Sequence, residues 1–153
     1  ELLLKEIDFH EVAHTITEFY KISMIENKVN LSIEVEQNSL FKSDLSLLEL
    51  ILHNLLSNAV KYQKLDAEDK YIKAHFKVAK GMATITIEDN GIGIAKESID
   101  DVFKLFYRAS LQAQGMGFGL YNVSSALIKI NGRVEVESEL GKGTKFILYI
   151  PSK

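Results

Sequence analysis

The stretch YIKAHFKVAKGMATITIEDNGIGI, residues 71–94, decides the reading of the fold. Ile72, Ala74, Phe76 and Val78 alternate with polar or charged neighbours, and after Lys80-Gly81 the alternation resumes at Ala83, Ile85 and Ile87. A period of two marks a strand with one buried face, and the Lys-Gly turn joins two such strands as an antiparallel hairpin. The second strand runs straight into Asp89-Asn90-Gly91-Ile92-Gly93, where the glycines end it.

Upstream, residues 64–70 (KLDAEDK) are charged and predict a surface loop, and before them the spacing predicts a long helix to about Gln63. Ser43 or Asp44 can cap that helix, and Leu48, Leu52, Leu55 and Ala59 form its apolar stripe. Farther back, Val29, Leu31, Ile33 and Val35 alternate as a strand. Residues 9–27 place Phe9, Val12, Ile16, Phe19, Tyr20, Ser23 and Met24 at three and four residue steps, as an amphipathic helix does. Downstream, residues 97–106 predict a short helical piece. The glycine cluster 115–119 opens a helix whose inner face is Leu120, Val123, Leu127 and Ile130. Strands around Val134–Val136 and at Phe146, Leu148 and Ile150 flank the Gly141-Lys142-Gly143 turn. The order predicts an α+β two-layer sandwich: a mixed, mainly antiparallel sheet of about five strands packed on about three helices.

Composition narrows the function. At 153 residues and 46% apolar the chain can bury one ordinary core, so a single domain over 1–153 is expected. Eighteen basic against twenty-one acidic residues leave a formal charge of −3, which offers a nucleic-acid backbone no basic field. With no cysteine, disulfides, thiolate metal sites and a cysteine nucleophile are excluded. No apolar run approaches the roughly 20 residues that span a bilayer. The chain opens on Glu1 rather than Met, so an excised piece of a longer protein is expected.

Three glycine clusters fall at element boundaries: DNGIGI (89–94), GMGFGL (115–120) and GKGT (141–144). Each alone reads as a tight turn; together in one small domain they invite a nucleotide to approach the backbone. On the long helix, Asn54, Asn58 and Lys61 stand at i, i+4 and i+7, within about 60° of one another. Two neutral amides and a cation at the rim of the apolar stripe suit a polyphosphate and its divalent ion, since amide oxygen is a hard ligand for Mg²⁺.

In order, HNLLSNAVKY (53–62), IEDNGIGI (87–94), FKLF (103–106), GMGFGL (115–120) and GKGTKF (141–146) resemble the N, G1, F, G2 and G3 boxes of the ATP-binding catalytic domain of bacterial sensor histidine kinases. The resemblance spans most of residues 9–151 and implies the Bergerat fold shared with gyrase, mismatch-repair and chaperone ATPases. It implies that Asp89 accepts from the adenine amino group, that Gly91 and Gly93 let the backbone close on base and ribose, and that Thr144 adds a hydroxyl near the base, directly or through water. Asn58 would ligate Mg²⁺, Asn54 and Lys61 would face the phosphates, and Tyr62 would lie against the base or simply end its helix half-buried. Gly115, Gly117 and Gly119, with Leu120, would present backbone N–H groups to the phosphates. A mobile ATP lid is expected over 106–116, anchored by Phe103 and Phe106. Its Arg108 is the candidate for the γ-phosphate, a solvated surface arginine being the alternative. The second glycine box departs from the family in carrying Met116 and Phe118.

The resemblance also implies the reaction class. ATPase relatives carry a glutamate where this chain has Asn54, and an amide cannot serve as base for water, so Asn54, Lys61 and Arg108 are expected to support phosphoryl transfer to a protein histidine. His10 and His14 belong to the first helix, and the 44 residues from His10 to Asn54 are too few for a phosphoacceptor hairpin as well. The expected cofactors are ATP and Mg²⁺. Expected partners are the dimerisation and phosphoacceptor domain of the same kinase and then a response regulator, with no nucleic acid, no direct membrane contact and a homodimeric, cytoplasmic parent that can be membrane-anchored. The alternative is a nucleotide-binding regulatory module or an anti-sigma serine kinase acting through a partner.

Overall fold

The computed structural model describes residues 1–99 and 120–153. Its elements are β1 (Leu4–Glu6), α1 (Phe9–Asn27), β2 (Asn30–Gln37), β3 (Lys42–Asp44), α2 (Leu45–Lys61), β4 (Tyr71–Ala79), β5 (Met82–Asp89), α3 (Leu120–Lys129), β6 (Arg133–Glu139) and β7 (Gly143–Pro151). A helical turn also occupies 96–99. No described helix is long and apolar enough to cross a membrane.

Five strands form the main sheet in the order β2-β4-β5-β7-β6. Only β2 and β4 run parallel, since β3 and α2 intervene and carry the chain back to the same end; every other pair is antiparallel. The two predicted hairpins are both present, β4 to β5 through Lys80-Gly81 and β6 to β7 through Gly141. The sheet is therefore mixed and mainly antiparallel, as the order of elements predicts. The small antiparallel pair β1–β3 is an addition to that reading.

Register makes the inner face of the sheet a stack of rows. Phe76, Ile85, Leu148 and Val134 lie side by side, as do Ala74, Ile87, Phe146 and Val136, and all are buried. Against this face pack α2, through Leu48, Ile51, Leu52, Leu55, Leu56 and Ala59, and α3, through Val123, Ala126, Leu127 and Ile130. At the other end of the core the Phe9 ring lies 5.4 Å from that of Phe41 and 5.6 Å from that of Phe76. The outer face carries charges of alternating sign, with Lys73, Glu88, Lys145 and Glu137 in one row, an arrangement favourable for cross-strand neighbours.

Phe19 departs from the expected inner stripe of α1. It is 68% exposed, lying against the His53 ring at 4.8 Å while Tyr20 takes the buried position and bonds the His53 imidazole at 3.0 Å. Lys28 ends α1 in the left-handed conformation, its N–H returning to Ile25 and Met24.

Asp44 sets the start of α2. Its carboxylate accepts from the Leu47 N–H at 3.2 Å, as an N-cap does, and from the Leu3 N–H at 3.0 Å. The Leu3 bond, with the helix N–H groups behind it, holds the carboxyl below the usual aspartate range. Its stabilisation is present above the unfolded value of about 3.9 and is lost as pH falls through the lower folded value. Asp44→Ala should cost about 1–2 kcal/mol at neutral pH, read from urea denaturation, and the difference from the parent should shrink in acid. No change at neutral pH would show that neither bond contributes.

Candidate functional site

The apolar rows stop one row short of the sheet's end. The last row on the inner face is Ile72, Asp89, Thr144 and Ser138, in register on β4, β5, β7 and β6. Asp89 keeps the inward parity of Ile85 and Ile87, so a carboxylate stands where the core's pattern would continue. Beside it the C-terminal turns of α2 present Asn58 and Tyr62. Between them lies a cavity of about 190 Å³, below the 300–1,000 Å³ of sites that enclose a whole drug-sized ligand and suited to one planar ring system.

Asn58, Tyr62, Asp89, Gly93 and Thr144 line this cavity together. Ala59, Ile92, Ile94, Ala95 and Phe146 supply apolar walls. Gly91, Asn54 and Lys61 are not among its lining residues. The Asn54 amide donates to the Leu50 carbonyl of its own helix at 2.8 Å, and the Lys61 ammonium is exposed, 5.5 Å from the centre of the Tyr62 ring. Arg108, Gly115, Gly117 and Gly119 lie outside the described residues, as does the segment 106–116 expected to form a lid. Leu120 opens α3.

The glycines of the 89–94 turn have a packing reason within the chain. A Cβ at Gly91 would collide with the Tyr62 carbonyl, the last turn of α2, which accepts from the Ile92 N–H at 2.9 Å. Gly93 sits at φ +74°, and a Cβ there would run into the Glu139 carbonyl at the end of β6. The turn is thus clamped between the end of α2 and the β6–β7 hairpin, and the Gly141 N–H closes the clamp on the Ile92 carbonyl at 2.7 Å. Asn90 fastens its other side, accepting from the Tyr71 N–H at 2.8 Å and donating to the Asp69 carbonyl at 2.6 Å.

Burial pushes the Asp89 carboxyl up to about 6, against the N–H groups of Gly91 and Thr144, which favour its charged form, while Glu88 adds to the rise. The Gly91 bond measures 2.8 Å. A half-dry carboxylate in an apolar slot keeps acceptor capacity beyond those two N–H groups, and a planar ligand carrying an N–H donor would use it. Among the described residues no cluster of three or more His, Cys, Asp or Glu could hold a metal ion. A divalent cation at Asn58 would therefore take most of its oxygens from ligand phosphates and water, which is how Mg²⁺ is commonly bound beside nucleotides. Neutral amide oxygen fits that role.

Residue patterns did not single out Ser138, yet it joins three parts of the site through the Ile94 N–H, the Gly143 carbonyl and the Thr144 hydroxyl. Its signal was available: Val134, Val136 and Ser138 share one parity on β6, so a serine closes an inward series.

Residues 43–153 match the family described as histidine kinase-, DNA gyrase B-, and HSP90-like ATPase. The chain is 33% identical over 156 aligned positions to the sensor protein RprX of Bacteroides fragilis, covering 98% of this chain and 30% of that protein. It is 29% identical over 151 positions to the sensor histidine kinase YclK of Bacillus subtilis, covering 95% and 31%. It thus spans about a third of the length of these relatives. Among solved structures, full-length ShkA in complex with AMPPNP superposes with a TM-score of 0.83 at 25% identity, covering 99% of this chain and 32% of that one. The catalytic domain of the histidine kinase ThkA superposes at 0.79 with 18% identity, covering 99% and 97%, which places the fold.

Asp89 yields a stability prediction whose sign follows from its raised value. Between about pH 4, near the value of a free aspartate, and about pH 6, the folded chain holds a proton that the unfolded chain has released, so Asp89's contribution to stability falls as pH rises through that window. Uncharged Asp89→Asn should gain on the parent over the same window by roughly 1–2 kcal/mol, the full conversion being reduced for partial solvation. Urea midpoints at about pH 4 and about pH 7 measure it; an equal difference at both would mean the carboxyl is well solvated.

Proposed function

The chain belongs to the family of histidine kinase-, DNA gyrase B- and HSP90-like ATPases, and on that premise we propose that it binds Mg-ATP at the cavity beside α2 and donates the γ-phosphate to a histidine on a separate dimerisation and phosphoacceptor domain. The observation that carries this reading is the placement of the Asp89 carboxylate and Thr144 at the polar end of an apolar slot, with Asn58 and Tyr62 on the facing helix. An adenine ring fills such a slot, and its amino group answers Asp89. The solved AMPPNP complex of ShkA supports ATP as the nucleotide, and the sensor kinases RprX and YclK support two-component signalling.

In this reading Asn58 holds Mg²⁺, while Asn54 and Lys61 on neighbouring turns of α2 face the phosphates. Gly91 and Gly93 shape the base and ribose side, Tyr62 borders the base, and Gly115, Gly117 and Gly119 with Leu120 supply N–H groups to the phosphates. Arg108, which lies outside the described residues, is the candidate for the γ-phosphate. When bound at Asn58, Mg²⁺ would supply positive charge to offset the negative charge of the phosphates. Asn54 cannot take a proton from water. Among the described lining residues the one carboxylate is Asp89, whose oxygen is engaged by Gly91. With an amide rather than a carboxylate at position 54, transfer to a positioned histidine is favoured over hydrolysis. The phosphohistidine then serves a response regulator, within a homodimeric parent whose catalytic part is cytoplasmic and touches neither membrane nor nucleic acid.

Asp89→Asn should weaken ATP binding by about 1.5–3 kcal/mol, the cost of losing a hydrogen bond to a charged acceptor. The parent's advantage over this variant should shrink from about pH 7 to about pH 5 as Asp89 takes up its proton. Calorimetric titration of both proteins tests this, and equal affinities at neutral pH would remove Asp89 from the site.

Transfer is tested with γ-labelled ATP, given to the chain alone and with the parent's separately expressed phosphoacceptor domain. Acid-labile, base-stable label on the added domain only is expected. Label on His10 or His14 would overturn the reading, and rapid phosphate release by the chain alone would assign it to the hydrolases.

A further inference from the structure

The hydroxyl of Ser138 is fully engaged, and its one hydrogen and two lone pairs fix the direction of one more bond. The Ile94 N–H donates to Ser138 Oγ at 2.8 Å, Ser138 O–H donates to the Gly143 carbonyl at 2.8 Å, and Thr144 Oγ1 stands 2.8 Å from Ser138 Oγ. A serine hydroxyl has one hydrogen and two lone pairs. The Ile94 amide can only donate and the Gly143 carbonyl can only accept. Ser138's hydrogen therefore goes to Gly143, one lone pair goes to Ile94, and the remaining lone pair must receive the Thr144 hydrogen.

Thr144 lines the cavity. With its hydrogen directed at Ser138, its oxygen has only lone pairs to offer a ligand. Asp89 and Thr144 are register partners on β5 and β7, and directly opposed side chains start about 4.5–5.5 Å apart at Cβ. A planar exocyclic amino group carries two hydrogens and can bond to two acceptors so placed. A ring with a carbonyl at that position brings a third acceptor and no hydrogen for the lone pairs that face it.

We propose that Ser138 is a positioning residue that holds Thr144 as an acceptor, so that Thr144 and Asp89 together take both hydrogens of the adenine amino group and set the choice of base. The proposal rests on the reading of the cavity as the adenine site and assigns the selectivity of that site to a residue outside the cavity lining.

The test compares ATP with purine riboside triphosphate, in which hydrogen replaces the 6-amino group, by calorimetric titration of the parent, Ser138→Ala, Ser138→Thr and Thr144→Val. The parent should prefer ATP by well over tenfold. Ser138→Ala frees the Thr144 hydrogen to turn toward the ligand, and Thr144→Val removes the acceptor, so each should cut the preference by about tenfold, one hydrogen bond's worth. Affinity for the purine riboside triphosphate should stay within about threefold, and Ser138→Thr should keep the parent's preference.

If Ser138→Ala weakens both nucleotides equally, or leaves the preference intact, Ser138 is only a support of the turn and the proposal fails. Should that variant not fold, Ser138→Cys, with a weakly bonding thiol, replaces it with the same expectation, and an undiminished preference in Thr144→Val also overturns the proposal. A parent that binds neither nucleotide, or both equally, refutes the adenine reading itself and this proposal with it.

Discussion

The register of β5 against β7 is the constraint on which the rest of the site depends. Side chains on a strand alternate between faces, so a shift of one residue would exchange every inward group for its neighbour. Here the shift would bring Thr84, Thr86 and Glu88 inward and send Ala83, Ile85, Ile87 and Asp89 out. Three buried apolar residues and a charged outer row oppose that exchange, at about 1.5–3 kcal/mol for each large side chain exposed. The apolar residues thereby position Asp89 without touching a ligand. A carboxylate that would be costly in the middle of the core becomes affordable in its last row, where the sheet meets the cavity.

The helix side of the site is tied to this row through main-chain contacts. The Tyr62 carbonyl would otherwise be one of the unpaired acceptors that end a helix, but it receives the Ile92 N–H, and Gly91 permits the approach. Asn58 and Tyr62 on α2 and Asp89 on β5 are therefore held by one short segment, residues 89–94, clamped on its far side by the β6–β7 hairpin. A substitution in that segment would move both walls of the cavity together.

What was legible in the sequence follows from the range over which each physical signal acts. The hairpin 72–87, α2 and its cap at Asp44 were readable because alternation, helical periodicity and capping are local. The grouping of Asn58, Tyr62, Asp89 and Thr144 was reached through the resemblance of ordered boxes, since periodicity brings no β7 residue to α2. Strands β1 and β3 are three residues each, too short for a period, and exist because Lys42 and Asp44 find partners at Glu6 and Leu4. Phe19 misled because three and four residue steps admit the border of a helix face as readily as its centre. Lining of the cavity by Ile92, Ile94 and Ala95 depends on how the turn folds back on α2, a tertiary contact that composition does not encode.

The glycines and Asp89 show two ways in which the candidate site diverges from the core that supports it. Gly91 and Gly93 satisfy the fold whether or not a ligand is present, since the Tyr62 and Glu139 carbonyls already occupy the space that a side chain would need. Asp89 is different. Its raised value means that the ligand-free fold solvates its charge less well than water does. The same deficit would make recognition at the proposed site selective, because a ligand that donates a hydrogen bond relieves it and a ligand that offers another acceptor deepens it. A fully hydrated carboxylate would exchange one donor for another at little gain. Selectivity at this position would therefore require the apolar walls as much as the carboxylate, and Ile92, Ile94 and Phe146, which line the cavity, would contribute to it by keeping water from Asp89.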